Sequence, residues 1–336
     1  MKKEMICAIR GLMRYGVPYK GSKNSIAEWV YSHFPKRNNF YDLFAGGCAI
    51  LQVALMRQEY KNYIANDIDD DGIKLFMQGI KGDFNHEKRW ISRSDFFKLK
   101  DTEPYIKYCW SFGNNGRDYL YSKEIEPYKK AWHYAVFEND FSFAKKLNID
   151  LEPIKELSDI HRKYLISKKI IESVKKKKDC NGLVRQQQLE ALNRLQFLQS
   201  LQSLQSLQSL QSLQLSNRDY EDVKIYKDSV VFCDIPYSDT NAYGSKKINT
   251  FDYERFYDWC KRQQEFVFIC EYKMPDDIIC IDKIKKRSLI CADASKCTDR
   301  EEKIFIPKHQ EEMYKEWKLN EYVKNRNISK KVLTRC

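Results

Sequence analysis

Apolar positions gather in two stretches of the chain, separated by a long charged middle. In the first stretch, Phe40-Tyr41-Asp42-Leu43-Phe44 reads as a short buried strand, Gly46-Gly47 as a tight turn and residues 49–56 as a helix. Tyr63-Ile64-Ala65 follows as a second strand that ends at Asn66-Asp67. Strand, turn, helix and strand in that order predict a β-turn-α-β unit and the start of a parallel sheet. The second stretch repeats this texture, with strands at 229–233, 265–270 and 303–306 and a helix at 253–264.

The middle, about 81–215, is charged, aromatic and mainly helical in pattern, with one loop at Ser111-Phe112-Gly113-Asn114-Asn115-Gly116. It closes on a tract built from the tripeptide Leu-Gln-Ser. On an α-helix a three-residue step advances about 300°, so successive leucines drift by about 60° and reach every side. That geometry predicts a spacer without one apolar face. The chain is therefore expected to divide into a discontinuous α/β domain (1–80 and 216–310), a helical insertion (81–197), a repeat spacer (198–215) and a basic C-terminal tail (311–336).

Composition narrows the partners. The chain has 336 residues, of which 43% are hydrophobic and 14% aromatic, enough for a sizeable core. Its net charge of +12, with lysine and arginine interleaved with aromatic residues, suits a polyanion such as nucleic acid. The 11 cysteines form no Cys-x-x-Cys pair, and several lie inside apolar runs, which predicts reduced thiols in a cytoplasm. No segment is long and apolar enough for a membrane span. The five histidines are scattered without paired spacing, so no metal site is expected. No Ser/His/Asp set or cysteine nucleophile is apparent.

Four motifs carry candidate chemistry. Asp234-Ile235-Pro236-Tyr237 follows an apolar strand directly, and ligands of open α/β sheets sit at the carboxyl ends of strands. A carboxylate and a main-chain carbonyl there can accept the two hydrogens of an amino group, while the ring can stack on a base drawn from a duplex. Alone, the same tetrapeptide is also an ordinary strand-ending turn. Asp42-Leu43-Phe44-Ala45-Gly46-Gly47-Cys48-Ala49 places two glycines between strand and helix, where backbone can approach a ligand closely. It lacks the three-glycine dinucleotide fingerprint and the Lys-Ser/Thr of a phosphate loop. Asn66-Asp67-Ile68-Asp69 puts carboxylates at the next strand end, suited to ribose hydroxyls or to capping a helix. Tyr19-Lys20-Gly21-Ser22-Lys23 is a basic turn before a helix.

The order of these motifs resembles the Dam-type DNA adenine methyltransferases of bacteria and their phages. That family runs from an aromatic-x-Gly-Gly-Lys segment through a Phe-x-Gly-x-Gly loop and an Ala-Asp-Ile/Leu-Asn turn to a recognition insertion and Asp-Pro-Pro-Tyr. The resemblance covers about 18–80 and 219–306. It implies a Rossmann-like S-adenosylmethionine-dependent sheet with a mainly helical target-recognition insertion. It also implies transfer of a methyl group to the exocyclic amino group of adenine in double-stranded DNA, with base flipping. Tyr19, Lys23, Phe44, Ala45, Gly46, Gly47, Asp67 and Ile68 would hold the cofactor, and Asp219-Tyr220 would read its adenine. Asp234, Ile235, Pro236 and Tyr237 would form the catalytic tetrapeptide, with Asp234 also at the cofactor. The loop from Trp110 to Lys123 would face DNA. A monomer or weak dimer in the cytoplasm of a bacterial host is expected, with no restriction nuclease signature in the chain.

Three positions depart from the family pattern. Ile235 replaces the first proline, Ser22 replaces a glycine, and Cys48 stands at the last loop glycine, which requires Cys48 to avoid positive φ. The competing activities are methylation of the cytosine amino group in DNA and methylation of a protein glutamine. A further alternative is a DNA-binding homologue with a decayed site.

Overall fold

The strands β1 (Asn39–Asp42), β2 (Asn62–Asn66), β3 (Leu213–Ser216), β4 (Ser229–Cys233), β5 (Phe266–Glu271), β6 (Ile278–Arg287) and β7 (Asp299–Pro307) form one sheet in the computed structural model. The structure describes residues 15–151, 159–175, 198–208, 212–237, 251–287 and 299–333. The sheet order is β3-β2-β1-β4-β5-β7-β6. β1 pairs in parallel with β2 on one side and β4 on the other, and β4 with β5. β7 runs antiparallel to both of its neighbours. The order reverses between β1 and β4, which makes their carboxyl ends the switch point of the sheet.

Two compact units make up the chain: Met1–Gly16, Ser22–Ile73 and Ser209–Cys336 in the first, and Val17–Gly21 with Lys74–Gln208 in the second. The first holds the sheet. Every residue of β1, β4 and β5 is buried, as expected for strands covered on both faces. Alternation assigns Tyr41, Val231 and Val267 to one face, against Phe256 and Trp259 of the helix Tyr253–Arg262. Phe40, Phe232 and Phe268 take the other face, with ring centroids 5.8, 5.6 and 4.9 Å from Phe34.

Sequence reading gave β1, β4 and β5 nearly to the residue but did not anticipate β3 or β6, and it found only residues 303–306 of β7. β6 is charged along much of its length (Asp282, Lys283, Lys285) and has an irregular register between Cys280 and Asp282, so its period is broken. Within the expected C-terminal tail the chain forms the helix Glu311–Leu333.

The second unit is built from helices among its described residues, with one isolated bridge between Ser111 and Tyr119. Tyr128, Trp132 and Val136 share the inner face of Glu126–Phe137 and join a core with Ile166, Ile170 and Val174 of Asp159–Lys175. Both stripes follow the four-residue helical step.

The Leu-Gln-Ser tract corrects the spacer expectation. Residues 198–203 are α-helical and Leu204–Leu207 forms a 3-10 turn. Leu198, Leu201, Leu204 and Leu207 are all buried, at 6%, 0%, 0% and 6% exposure. A 3-10 turn has about three residues per turn, so leucines three apart eclipse instead of drifting. Two leucines in the α-helical part drift only within one broad apolar face. The packing is close: a Cβ added to Gly79 would stand 2.7 Å from a Leu204 methyl and 3.0 Å from the Leu201 carbonyl oxygen. Gln202 donates to the Phe84 carbonyl at 3.0 Å, and Gln205 accepts from Asn85 at 3.2 Å. The last residues of the tract then enter β3, parallel to β2.

Candidate active site

The carboxyl ends of β1 and β4 lie side by side, with Asp42 in register with Phe232 and the Leu43 amide donating to the Phe232 carbonyl at 3.0 Å. The chain emerging from β1 makes the glycine turn, and the chain emerging from β4 makes Asp234 to Tyr237. Lys23 is only 5% exposed and sets its ammonium 2.7 and 3.0 Å from the two carboxylate oxygens of Asp234. Burial pulls the Lys23 pKa down. The charge of Asp234, helped by Cys270 and Glu302, outweighs burial and leaves the ammonium above its ordinary range.

Ile235 and Tyr237 are buried as well, at 1% and 7% exposure. Ile235 belongs to the core beside Val231 and Phe256, which accounts for an apolar residue at that position. The Pro236 carbonyl accepts from the Tyr253 hydroxyl at 2.9 Å, which pins the turn. The Tyr237 ring has the Lys23 ammonium 4.5 Å over its centroid and Tyr272 edge-on at 4.5 Å. Its hydroxyl donates to Glu302 at 3.0 Å. Burial first, then the charges of Asp234, Cys270 and Glu302, push the phenol well above its usual range, so it stays a donor.

The glycine turn is packed from behind by other backbone. A Cβ at Gly16 would fall 2.2 Å from the Gly47 carbonyl oxygen, and one at Gly72 would fall 1.9 Å from that of Gly46. Asp67 fastens the turn, accepting from the Gly46 amide at 2.8 Å and the Asp69 amide at 2.9 Å. Burial pushes the Asp67 carboxyl up to about 7, against the opposing effect of those two hydrogen bonds. Ile68 is 40% exposed, and its carbonyl accepts from Asn217.

Asp219 caps the short turn Tyr220–Asp222 and is gripped on both oxygens by Arg255, at 2.9 and 3.0 Å. Tyr220 packs its ring 5.4 Å from Phe44, with Phe251 5.7 Å from Phe44 on another side. Tyr220 is 6% exposed and its hydroxyl finds no partner among the described residues.

Lys23, Phe44 to Gly47, Asp67, Ile68, Asp219, Tyr220 and Asp234 to Tyr237 thus all belong to the sheet-bearing unit. Tyr19 does not: it belongs to the helical unit, where its ring lies 5.0 Å from Tyr108. Cys48 overturns the condition placed on it. It adopts φ 58°, ψ 29°, the left-handed region, fully buried at the start of the helix Ala49–Arg57. The amide of Cys48 donates to Ala45 and its carbonyl accepts from Gln52, so the surroundings hold the strained form.

Sequence reading gave no role to Asp42, although it heads the glycine motif, and passed over Glu271 and Glu302. Asp42 is 1% exposed, one of its oxygens has no partner among the described residues, and burial, then Asp234 and Asp67, raise its pKa well above the carboxylate range. A charged residue inside an apolar strand was the available signal for Asp42. Glu302 carried none, since it lies in the charged run Asp299-Arg300-Glu301-Glu302-Lys303. Among the described residues no cluster of His, Cys, Asp or Glu fits a metal, and no helix is long and apolar enough to cross a membrane.

A family model described as D12 class N6 adenine-specific DNA methyltransferase matches residues 19–275. The match spans Lys23, the glycine turn, Asp67, Asp219 and the Asp234 tetrapeptide.

Proposed function

The chain belongs to the D12 class N6 adenine-specific DNA methyltransferase family, and we propose that it methylates adenine through Asp234 and Tyr237. The supporting observation is the ion pair at the end of β4, between a buried Lys23 and a half-buried Asp234. Lys23 favours the ionised carboxylate, and an ionised acceptor suits an amino nitrogen that becomes cationic as it is methylated. A carboxylate has about four lone-pair sites, so Asp234 can accept an amino hydrogen and keep Lys23. The Ile235 carbonyl is the second acceptor, and the Tyr237 ring is the platform for the flipped base.

The residues around the glycine turn fit S-adenosylmethionine. Backbone at Gly46-Gly47 suits the amino-acid end, Asp67 the ribose hydroxyls, and Phe44, Tyr220 and Phe251 the purine. Each Asp67 oxygen accepts one backbone bond and has capacity for another. With Asp219 engaged by Arg255, its contribution to the purine falls to its backbone and to the turn it caps. When bound, this cofactor supplies an electrophilic methyl group.

Double-stranded DNA is the substrate in this reading, and the helical unit carries its recognition. Residues 17–21 and 74–208 hold 26 of the 59 Lys and Arg but only 17 of the 47 Asp and Glu. The difference, 26 minus 17, gives that unit +9 of the chain's net +12, a positive balance suited to phosphate. Its loop at 111–116 is held rigid, with the Gly116 amide donating to Ser111 at 2.9 Å and Asn114 donating to the Tyr108 carbonyl at 2.8 Å. Phe112 stands 40% exposed on it, suited to contact with base edges.

Incubation with methyl-labelled S-adenosylmethionine and unmodified duplex DNA, then digestion to nucleosides, tests the reading. Label in N6-methyladenine is expected. Label in cytosine or in protein, or no transfer by folded protein, overturns it.

A further inference from the structure

Tyr237 is the residue on which the target base is read to rest, yet nothing within the tetrapeptide fixes its ring. The hydroxyl is fixed from outside, by Glu302 on β7 at 3.0 Å. Glu302 lies beyond residue 275, where the family match ends. Both partners are buried, at 7% and 6% exposure, so the hydrogen bond is shielded from water and strengthened by the carboxylate charge. β7 brings Glu302 there because it runs antiparallel beside β5, with Lys303 in register with Glu271 at the β5 end. The edge-on ring of Tyr272, next in the chain after β5, closes on Tyr237 from the same region.

We propose that Glu302 is a positioning residue for the methyl transfer: it holds the Tyr237 hydroxyl, and so orients the ring against which the flipped adenine packs. This rests on the reading of Tyr237 as the base platform. With one end of the phenol tethered and the Lys23 ammonium over its face, the ring has one orientation available when the base arrives. Without Glu302 the phenol donor is buried without that acceptor and the ring is released to turn. The effect should fall on capture of the base more than on cofactor binding, since the Glu302 hydrogen bond goes to Tyr237, which is not assigned to the cofactor.

The experiment compares Glu302→Ala, Glu302→Gln, Tyr237→Phe and Tyr237→Ala in the full chain, on two duplexes. One has the target adenine paired with thymine, and the other has it opposite an abasic site, where flipping is already favourable. Glu302→Ala and Tyr237→Phe should each lose about tenfold or more in kcat/KM on the paired duplex and clearly less on the abasic one. Glu302→Gln keeps an acceptor and should stay within about threefold of wild type. Combining Glu302→Ala with Tyr237→Phe should cost no more than either alone. S-adenosylmethionine affinity should change by far less than kcat/KM does on the paired duplex.

Equal losses on both duplexes, additive losses in the double variant, or wild-type rates for Tyr237→Phe overturn the role of Glu302. The last holds even if Glu302→Ala fails to fold. If Tyr237→Ala itself transfers methyl normally, the reading of Tyr237 fails, and that outcome is separate from the failure of Glu302 alone.

Discussion

The Lys23 ammonium lies 2.7 Å from one carboxylate oxygen of Asp234 and 3.0 Å from the other, across 211 positions of the chain. This part-buried ion pair binds Lys23 to the tetrapeptide, and removing one partner leaves the other charge uncompensated. Asp234→Asn should therefore both silence the enzyme and weaken it. Methylation should fall at least about 100-fold, as for loss of a charged group at the reacting centre. The melting temperature should drop, and Lys23→Met on the same background should recover part of the drop. Transfer by Asp234→Asn at a tenth of the normal rate or better would contradict the assigned role.

Asp67, if it takes the ribose as proposed, should give cofactor affinity a pH dependence. Its carboxyl is pushed up to about 7 by burial, from an ordinary value of 3.8. The folded chain then keeps a proton that the unfolded chain releases, so this group's stabilisation is full below pH about 4 and is lost as pH rises through 7. Ribose hydroxyls donating to the carboxylate favour its charged form, so cofactor binding releases the proton. Affinity should rise with pH from 6 to 8, by up to about tenfold per unit below 7, and level off above. Asp67→Asn should flatten the profile in calorimetric titration. A flat wild-type profile would remove the ribose role.

Cys48 should invert an ordinary ranking. Inside helices alanine is better than glycine, but a left-handed residue with a Cβ costs roughly 1–2 kcal/mol. Cys48→Gly should therefore be more stable than Cys48→Ala by about 1 kcal/mol in denaturant unfolding. Equal stabilities would mean that the surroundings relax the backbone.

DNA affinity should fall steeply between about 50 and 200 mM salt, because the basic helical unit must displace counterions from phosphate. Nearly constant affinity would assign that charge to some other partner.

The repeat tract should be intolerant of shortening. With Leu201 and Leu204 fully buried against Gly79, Leu204→Ala should cost about 2–5 kcal/mol. Deleting one Leu-Gln-Ser unit takes three residues from a chain that must still fill the leucine sites and reach β3, so either a packed leucine or part of the strand is given up. A melting temperature lower by several degrees is expected. Inserting one unit leaves both packed segments with their own residue types and should be nearly silent. Equal tolerance of deletion would restore the spacer reading.

The legible parts of this chain were those where one local rule dominates. β1, β4 and β5 are apolar because both faces are covered, and the turn residues at their ends stand out by contrast. The motifs at 44–47, 66–69 and 234–237 stood out because each lies at a strand end. What stayed hidden depends on non-local choices. Tyr19 looked like part of the Lys23 segment yet belongs to the other unit. Glu302 has meaning only once an antiparallel strand sets it against Tyr237. Cys48 is held in a conformation its type disfavours by packing that no local pattern shows. The tract was misjudged because α-helical geometry was assumed where part of the chain takes the tighter turn.

That tract has a consequence at the level of the gene. Tandem copies of a three-codon unit gain and lose members when the template slips during copying, and the reading frame survives either error. The fold treats the two unequally, because an extra unit adds slack between a helix and a strand that are already filled, whereas a missing unit empties one of them. Alleles of this protein should therefore vary in length chiefly upward from the present number of repeats, with selection acting as a ratchet against contraction.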